Sequence, residues 1–391
     1  MKKLVAFFLI ITLTLCASPI ISFASDSEEQ YENSTPVTAP EIKAESALLM
    51  EASTGKILYS SNELKAASPA SVTKIMTLLL VAEALDDQLF SLNDKVSISA
   101  YAASMGGSQV FLEEGETMTV EELIKCTVIA SANDAAVALA ELCSGTEDAF
   151  VEKMNLRGGE LGLVNTSFEN VTGLDDDTVN HYSCARDIAV MSRELIKHDI
   201  ITKYSSLWQD TIRNGEFTLT NTNRLVRYYE GCNGLKTGST DKAGYCVSTT
   251  AKRGNLQLIA VIMGAESRDA RNAAARALLD MGFAGYTLCE YSEEYVDSLP
   301  LIGGRKSSVP LYSEKYSLLL SKADAKRVER TYEVPENTKA PVKEGESIGR
   351  IIFTLDGETV GECGVLVSES VEKIEFFELL LLILKRMVSG E

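Results

Sequence analysis

Histidine is almost missing from this chain: His181 and His198 are the only two among 391 residues. That excludes a histidine-rich metal site, and it means that a nucleophile here needs a base other than a histidine pair. The eight cysteines include no C-x-x-C pair, so neither a zinc module nor a dense disulfide scaffold is indicated, and the chemistry calls for no cofactor. Positive charge is also short, with 37 Lys and Arg against 56 Asp and Glu. A net charge of −19 argues against nucleic acid as a partner. No apolar run reaches the roughly 20 residues that a membrane-spanning helix needs; the two candidates are Leu4–Leu15 and Leu379–Leu384.

Both runs are nevertheless informative. Lys2 and Lys3 precede the first, and Ser22-Phe23-Ala24 offers small residues at the cleavage positions, so residues 1–24 read as a secretory signal peptide and the protein as extracytoplasmic. Cys16 raises lipid attachment as an alternative, but Leu15 before it is bulky. Cleavage after Ala24 leaves 367 residues, enough for two domains. Residues 25–40 are acidic and polar and read as a disordered spacer. From 41 to 291 the composition is globular and α+β: helical segments such as EELIKCTVIA and DAAVALAELC are flanked by strands such as GYCVSTTA and NLQLIAVIMGA, a sheet covered by helices. Residues 292–370 are short alternating runs broken by Gly, Pro and Asp-Gly, a small all-β domain. Residues 371–391 set Ile374, Phe377, Leu381, Leu384 and Val388 on one stripe, largely opposite Glu375, Glu378, Lys385 and Arg386. An amphipathic helix lying on a membrane surface fits this segment; a helix packed on its own domain, or a dimer contact, is the alternative.

The chemistry begins at SPASVTKIMTLLLVAEAL, an apolar helix whose first turn carries Ser71 and Lys74 on one face. Ser68-Pro69 reads as its start signal. Other S-x-x-K copies occur at Ser53–Lys56, Ser239–Lys242 and Ser370–Lys373, so the pattern alone decides nothing. A desolvated lysine can be neutral enough to take a serine proton, which would make this pair nucleophile and base. Two further polar words stand in apolar surroundings. Ser131-Ala132-Asn133 lies between two helices, where it would serve equally as a helix stop and N-cap. Lys236-Thr237-Gly238 lies near the end of a strand that turns back through Asp241, where an edge lysine is a common solubility device.

In this order, Ser71-x-x-Lys74, Ser131-x-Asn133 and Lys236-Thr237-Gly238 resemble the signature set of penicillin-recognising serine enzymes, with Ala132 where that set often has Asp. PASVTKIMT, SANDAA, TGLDDDTVNHYSCARDIA, CNGLKTGSTDKAGYC and RNAAARALLDMGF narrow the resemblance to the D-alanyl-D-alanine carboxypeptidases, the low-molecular-mass penicillin-binding proteins. It covers nearly all of the chain after residue 24. It implies a penicillin-binding/β-lactamase-like transpeptidase domain, a small β-rich domain, and a tail that holds the enzyme at the outer face of the cytoplasmic membrane. It also implies that Ser71 attacks the penultimate D-alanine of a peptidoglycan stem peptide and is acylated by β-lactams. Lys74 would then be the base, with Ser131 relaying a proton toward the leaving amine and Lys236 lowering the pKa of Lys74 across the cleft. Asn133 would bond Lys74 and the substrate amide. Backbone N–H groups of Ser71 and Ser239 would form the oxyanion hole beside Gly238, and Thr237 and Arg271 would hold the substrate carboxylate, with Arg268 as a rival for the last role. His181 has no evident reach to Ser71 and stays outside the set. A β-lactamase, with Glu169 as the deacylating base, and a catalytically idle wall-binding protein are the competing readings.

Overall fold

A computed structural model describes residues 39–176 and 178–389. The leader at 1–24 and nearly all of the spacer lie outside these residues. The first domain is built on a five-stranded, wholly antiparallel sheet. Its order is Ile57–Ser61, Ser46–Glu51, Leu256–Ala265, Gly244–Arg253 and Cys232–Thr240. The central strands are apolar at almost every position because both faces are covered. Leu48, Met50, Ile259, Val261 and Met263 enter one core, while Ala47, Leu49, Leu258, Ala260 and Ile262 enter another. Strand alternation of period two therefore divides the interior. The helix Arg268–Gly285 fills the second side, and the helices Lys74–Asp86, Val120–Ile129, Asn133–Ser144 and Ala185–Leu195 fill the first.

The helix Lys74–Asp86 is apolar round most of its circumference and lies inside its helical layer, which is what such a helix must do. Its start differs from the sequence expectation. Ala70–Thr73 is a 3-10 turn that leads into the α-helix, and Ser68 does not cap it but donates its hydroxyl to Asp175 at 2.8 Å. The Ser53 copy of S-x-x-K sits on the hairpin turn, with its hydroxyl bound to Glu51. Ser370 accepts the Glu344 N–H in the β-rich domain.

That domain holds a six-stranded sheet in the order Glu329–Glu333, Ser347–Leu355, Glu358–Val367, Ser308–Ser313, Tyr295–Ile302, Thr338–Lys339. A separate pair, Tyr286–Tyr291 with Tyr316–Ser321, begins where the helix Arg268–Gly285 ends. Asp356 and Gly357 both have positive φ, 52° and 89°, and join two strands by the tight turn that Asp-Gly favours. The last helix runs Phe376–Ser389, later than the sequence places it. Val371, Lys373 and Ile374 pair instead with Val342, Gly304 and Gly303 of the β-rich domain, so Ile374 leaves the helical stripe. Phe376 and Phe377 are 72% and 74% exposed, and the leucines after them are exposed too.

Candidate active site

Four chain segments converge on Ser71. The 3-10 turn half-exposes it, and Lys74, the first residue of the α-helix, is fully buried with its Nζ 3.0 Å from Ser71 Oγ. Lys74 Nζ is also 2.6 Å from Asn133 Oδ1 and 2.8 Å from the Thr172 carbonyl. Asn133 opens the helix Asn133–Ser144 and is itself fixed: its Nδ2 donates to the Gly106 carbonyl at 2.7 Å, and its N–H to the Ser108 carbonyl at 2.6 Å.

Ser131 is no helix cap. It has φ 62°, a strained value for a residue with a side chain, and Ala132 occupies the cap position without a side-chain bond. The kink sends Ser131 Oγ to Lys236 Nζ, 2.7 Å away. Lys236, on the edge strand Cys232–Thr240, is 1% exposed and also donates to the Thr237 carbonyl at 2.8 Å. A lysine on an exposed strand edge would serve solubility; this one points inward. Thr237 donates its hydroxyl to Thr222 at 2.8 Å. Gly238 faces the turn so closely that a Cβ there would lie 2.8 Å from both Pro69 O and Ser71 N. Ser239 follows, exposed on the strand. Arg271 is 3% exposed in the first turn of the helix Arg268–Gly285 and contacts the Cys246 carbonyl and Asn272, whereas Arg268 is exposed.

The electrostatics follow from burial. Desolvation, reinforced by the Lys236 charge and opposed by Asp134, holds Lys74 well below the ordinary lysine value. Desolvation and Arg271 bring Lys236 down to about 7, and desolvation brings Arg271 to about 10 with Arg268 adding to it. Among the described residues no carboxylate pairs with any of these three cations. Asp134, in reach of Lys74 electrostatically, is occupied by the Val110 and Leu112 N–H groups. The cleft is therefore poised for a negative charge that the protein does not supply.

The Thr172 carbonyl and the Thr222 hydroxyl were not foreseen. T-G-L-D was one of the words quoted for the resemblance, but a backbone carbonyl leaves no side-chain signature. Glu169 is exposed, and its carboxylate accepts the Val179 N–H of its own loop.

A serine bonded to a buried lysine whose charged form burial disfavours, facing a second lysine on a sheet edge, has the groups that a serine-based acyl transfer needs. Residues 33–267 match the model of the D-alanyl-D-alanine carboxypeptidases, and residues 289–373 that of the penicillin-binding protein 5 C-terminal domain. The chain belongs to the D-alanyl-D-alanine carboxypeptidase family and is a serine hydrolase. It is 41% identical over 387 residues to the D-alanyl-D-alanine carboxypeptidase DacF of Bacillus subtilis, covering 97% of each chain. The structure of penicillin binding protein 5 from Haemophilus influenzae superposes with a TM-score of 0.77 at 32% identity, over 86% of this chain and 100% of that one. Penicillin-Binding Protein D2 from Listeria monocytogenes, solved in its ampicillin-bound form, has a TM-score of 0.58 at 30% identity, over 63% of this chain and 99% of that one.

Proposed function

We propose that this carboxypeptidase trims peptidoglycan stem peptides through an acyl-enzyme on Ser71, with Lys74 as the base. One observation carries the assignment. A neutral amine has two N–H donors and one lone pair, and the Asn133 and Thr172 carbonyl oxygens can only accept. They take both N–H groups, which leaves the lone pair for the third neighbour, the hydroxyl of Ser71.

The steps follow. Ser71 Oγ attacks the carbonyl carbon of the penultimate D-alanine while Lys74 takes the hydroxyl proton. The developing oxyanion lies at the start of the buried helix, beside the N–H of Ser71 and that of Ser239 across from it. The C–N bond breaks as Ser131, bonded to Lys236, relays the proton taken up by Lys74 to the amine of the departing D-alanine, which returns Lys74 to its neutral form. Water then attacks the ester while Lys74 accepts its proton, and Lys74 hands that proton to Ser71 Oγ as the ester C–O bond breaks. Arg271 and Thr237 hold the substrate carboxylate, which supplies the missing negative charge; the buried Arg271 suits this role better than the exposed Arg268. The strand edge at Lys236–Ser239 receives the extended peptide by strand addition. A β-lactam offers the same carboxylate and a strained amide, so it acylates Ser71. Glu169, exposed and bound to the Val179 N–H of its own loop, argues against a β-lactamase reading that needs it as the base.

Ser71→Ala should abolish both D-alanine release and labelling by a fluorescent penicillin with the melting temperature kept, because only the covalent handle is lost. Labelling that persists, or moves to Ser53, would overturn the assignment.

The same proposal places the enzyme outside the cell, exported by residues 1–24 and held at the membrane surface by its last helix. The exposed phenylalanines and leucines of Phe376–Ser389 support this. At about 1.5 Å per residue, 14 residues reach about 21 Å, short of a bilayer's roughly 30 Å core, which suits a helix lying in the interface.

A further inference from the structure

We infer that His181 is a positioning residue for the Ser71–Lys74 pair, acting through Thr73 and through the loop that brings the Thr172 carbonyl to Lys74. His181 is 3% exposed. Its Nδ1 accepts the Glu169 N–H at 3.1 Å, which fixes the ring proton on Nε2. Nε2–H then donates to Thr73 Oγ1, 2.8 Å away. Thr73 stands between Ser71 and Lys74 in the chain, so the imidazole ties the nucleophile turn to the loop. The base of the loop is closed by the Ser167–Tyr182 backbone pair.

That loop does three things to the turn and helix. Its Thr172 carbonyl accepts from Lys74, its Val171 carbonyl accepts from Thr77 at 2.7 Å, and Gly173 presses on the turn so tightly that a Cβ would lie 1.8 Å from the Ala70 carbonyl. His181 fastens this loop to the turn through Thr73. The ring makes both bonds only when neutral, since protonation would turn Nδ1 into a donor facing the Glu169 N–H and release that side of the ring. The neighbours that bear on its charge are Glu169 and Asp175 on the loop, which favour protonation, and Lys242 beyond the edge strand, which opposes it. Burial outweighs them all and lowers His181 to about 4, while the ring of Phe168 packs edge-on at 6.0 Å.

This inference rests on Lys74 being the base, and it predicts something that a merely structural histidine would not. Acylation should rise with pH as Lys74 loses its proton. A loosened loop lets water reach Lys74 and solvate its charged form. Burial is the main cause that holds Lys74 low, so this outweighs the loss of the Thr172 acceptor and the midpoint of that rise should move upward. The experiment is the second-order rate of fluorescent-penicillin acylation from pH 5 to 10 for the full protein and four variants. His181→Ala and Thr73→Val should each lose roughly 10- to 100-fold at pH 7 and regain part of it at high pH, with the midpoint raised. His181→Gln, whose amide offers both an acceptor and a donor, should restore most of the rate and the original midpoint. Thr73→Val keeps the shape of the turn and tests the contact even where the alanine variant folds poorly. Lowered melting temperatures with an unmoved midpoint in the alanine and valine variants would overturn the inference. Ser71→Ala separates the two layers: labelling that survives it sinks the site assignment, whereas a dead Ser71→Ala beside an unshifted His181→Ala sinks only this inference.

Discussion

Gly238→Ala tests whether the edge strand and the nucleophile turn are held at a fixed separation. The added Cβ would lie 2.8 Å from Pro69 O, 2.8 Å from Ser71 N and 2.9 Å from Val72 N. Unstrained contacts of this kind need about 3.5 Å, so the gap must open by roughly 0.6–0.7 Å. All three partners are backbone atoms, so no side-chain rotation can relieve the clash. Gly238 lies outside the left-handed region, so the loss comes from the clash and not from backbone strain. Overpacking of this kind costs about 1–3 kcal/mol. The larger effect is on rate, because a displacement approaching 1 Å can cost on the order of a hundredfold in a positioned reaction. We expect kcat/KM for D-alanine release from a stem pentapeptide to fall about 10- to 100-fold, with penicillin acylation falling in parallel and the melting temperature dropping a few degrees. Gly159→Ala is the control: it lies in the helix Glu147–Glu160 with nothing within 4 Å of a new Cβ, and should leave the rate unchanged. A Gly238→Ala enzyme within twofold of the parent in both reactions would refute the argument that glycine is needed there for close approach.

Lys74→Arg should lose at least about a hundredfold in acylation, since a guanidinium cannot accept the serine proton; near-normal activity would mean the proton goes elsewhere. His181 should also make the fold acid-sensitive. Its native value is held near 4 against an ordinary 6.5, so the unfolded chain binds a proton first as pH falls, and stability is lost between pH 6.5 and 4 by up to about 3 kcal/mol. Urea melts of parent and His181→Gln across that window should diverge in slope, and parallel curves would count against a buried neutral imidazole. Deleting Phe376–Glu391 should abolish partitioning to lipid vesicles and leave turnover of a soluble peptide intact, because the segment's large apolar side chains stand exposed; a truncated protein that aggregates or melts early would show instead that the helix packs on the β-rich domain.

The sequence was most readable where one side chain carries both the pattern and the chemistry. An apolar strand such as Leu256–Ala265 implies two covered faces, and the structure divides its residues between two cores. Ser71, Lys74, Ser131, Asn133 and Lys236 were visible because each is a polar group out of place among apolar ones. What stayed hidden was carried by the backbone. Ser131 reads as an ordinary helix cap until its φ of 62° shows that it is turned toward Lys236. Ser68-Pro69 reads as a capping start, yet the serine serves Asp175 across 107 residues of chain. The last helix was drawn too early because Val371 and Ile374 look equally at home on an apolar stripe and beside Val342 and Gly303.

There is a physical reason why the site's cations were legible and its acceptors were not. Buried lysine is costly, because its charged form loses water and gains no carboxylate in return, so Lys74 and Lys236 stand out in any apolar helix or strand. Their acceptors, the carbonyls of Thr172 and Thr237, belong to the peptide bond and exist at every position. Carbonyl dipoles stabilise an amine without supplying the full negative charge that would hold it protonated. An aspartate in place of the Thr172 carbonyl would have been easier to find in the sequence, but it would raise the pKa of Lys74 and remove the base that the proposed mechanism requires. The choice of a backbone acceptor is therefore part of the chemistry, and it makes the loop that delivers Thr172 answerable for the protonation state of Lys74 as well as for the shape of the cleft.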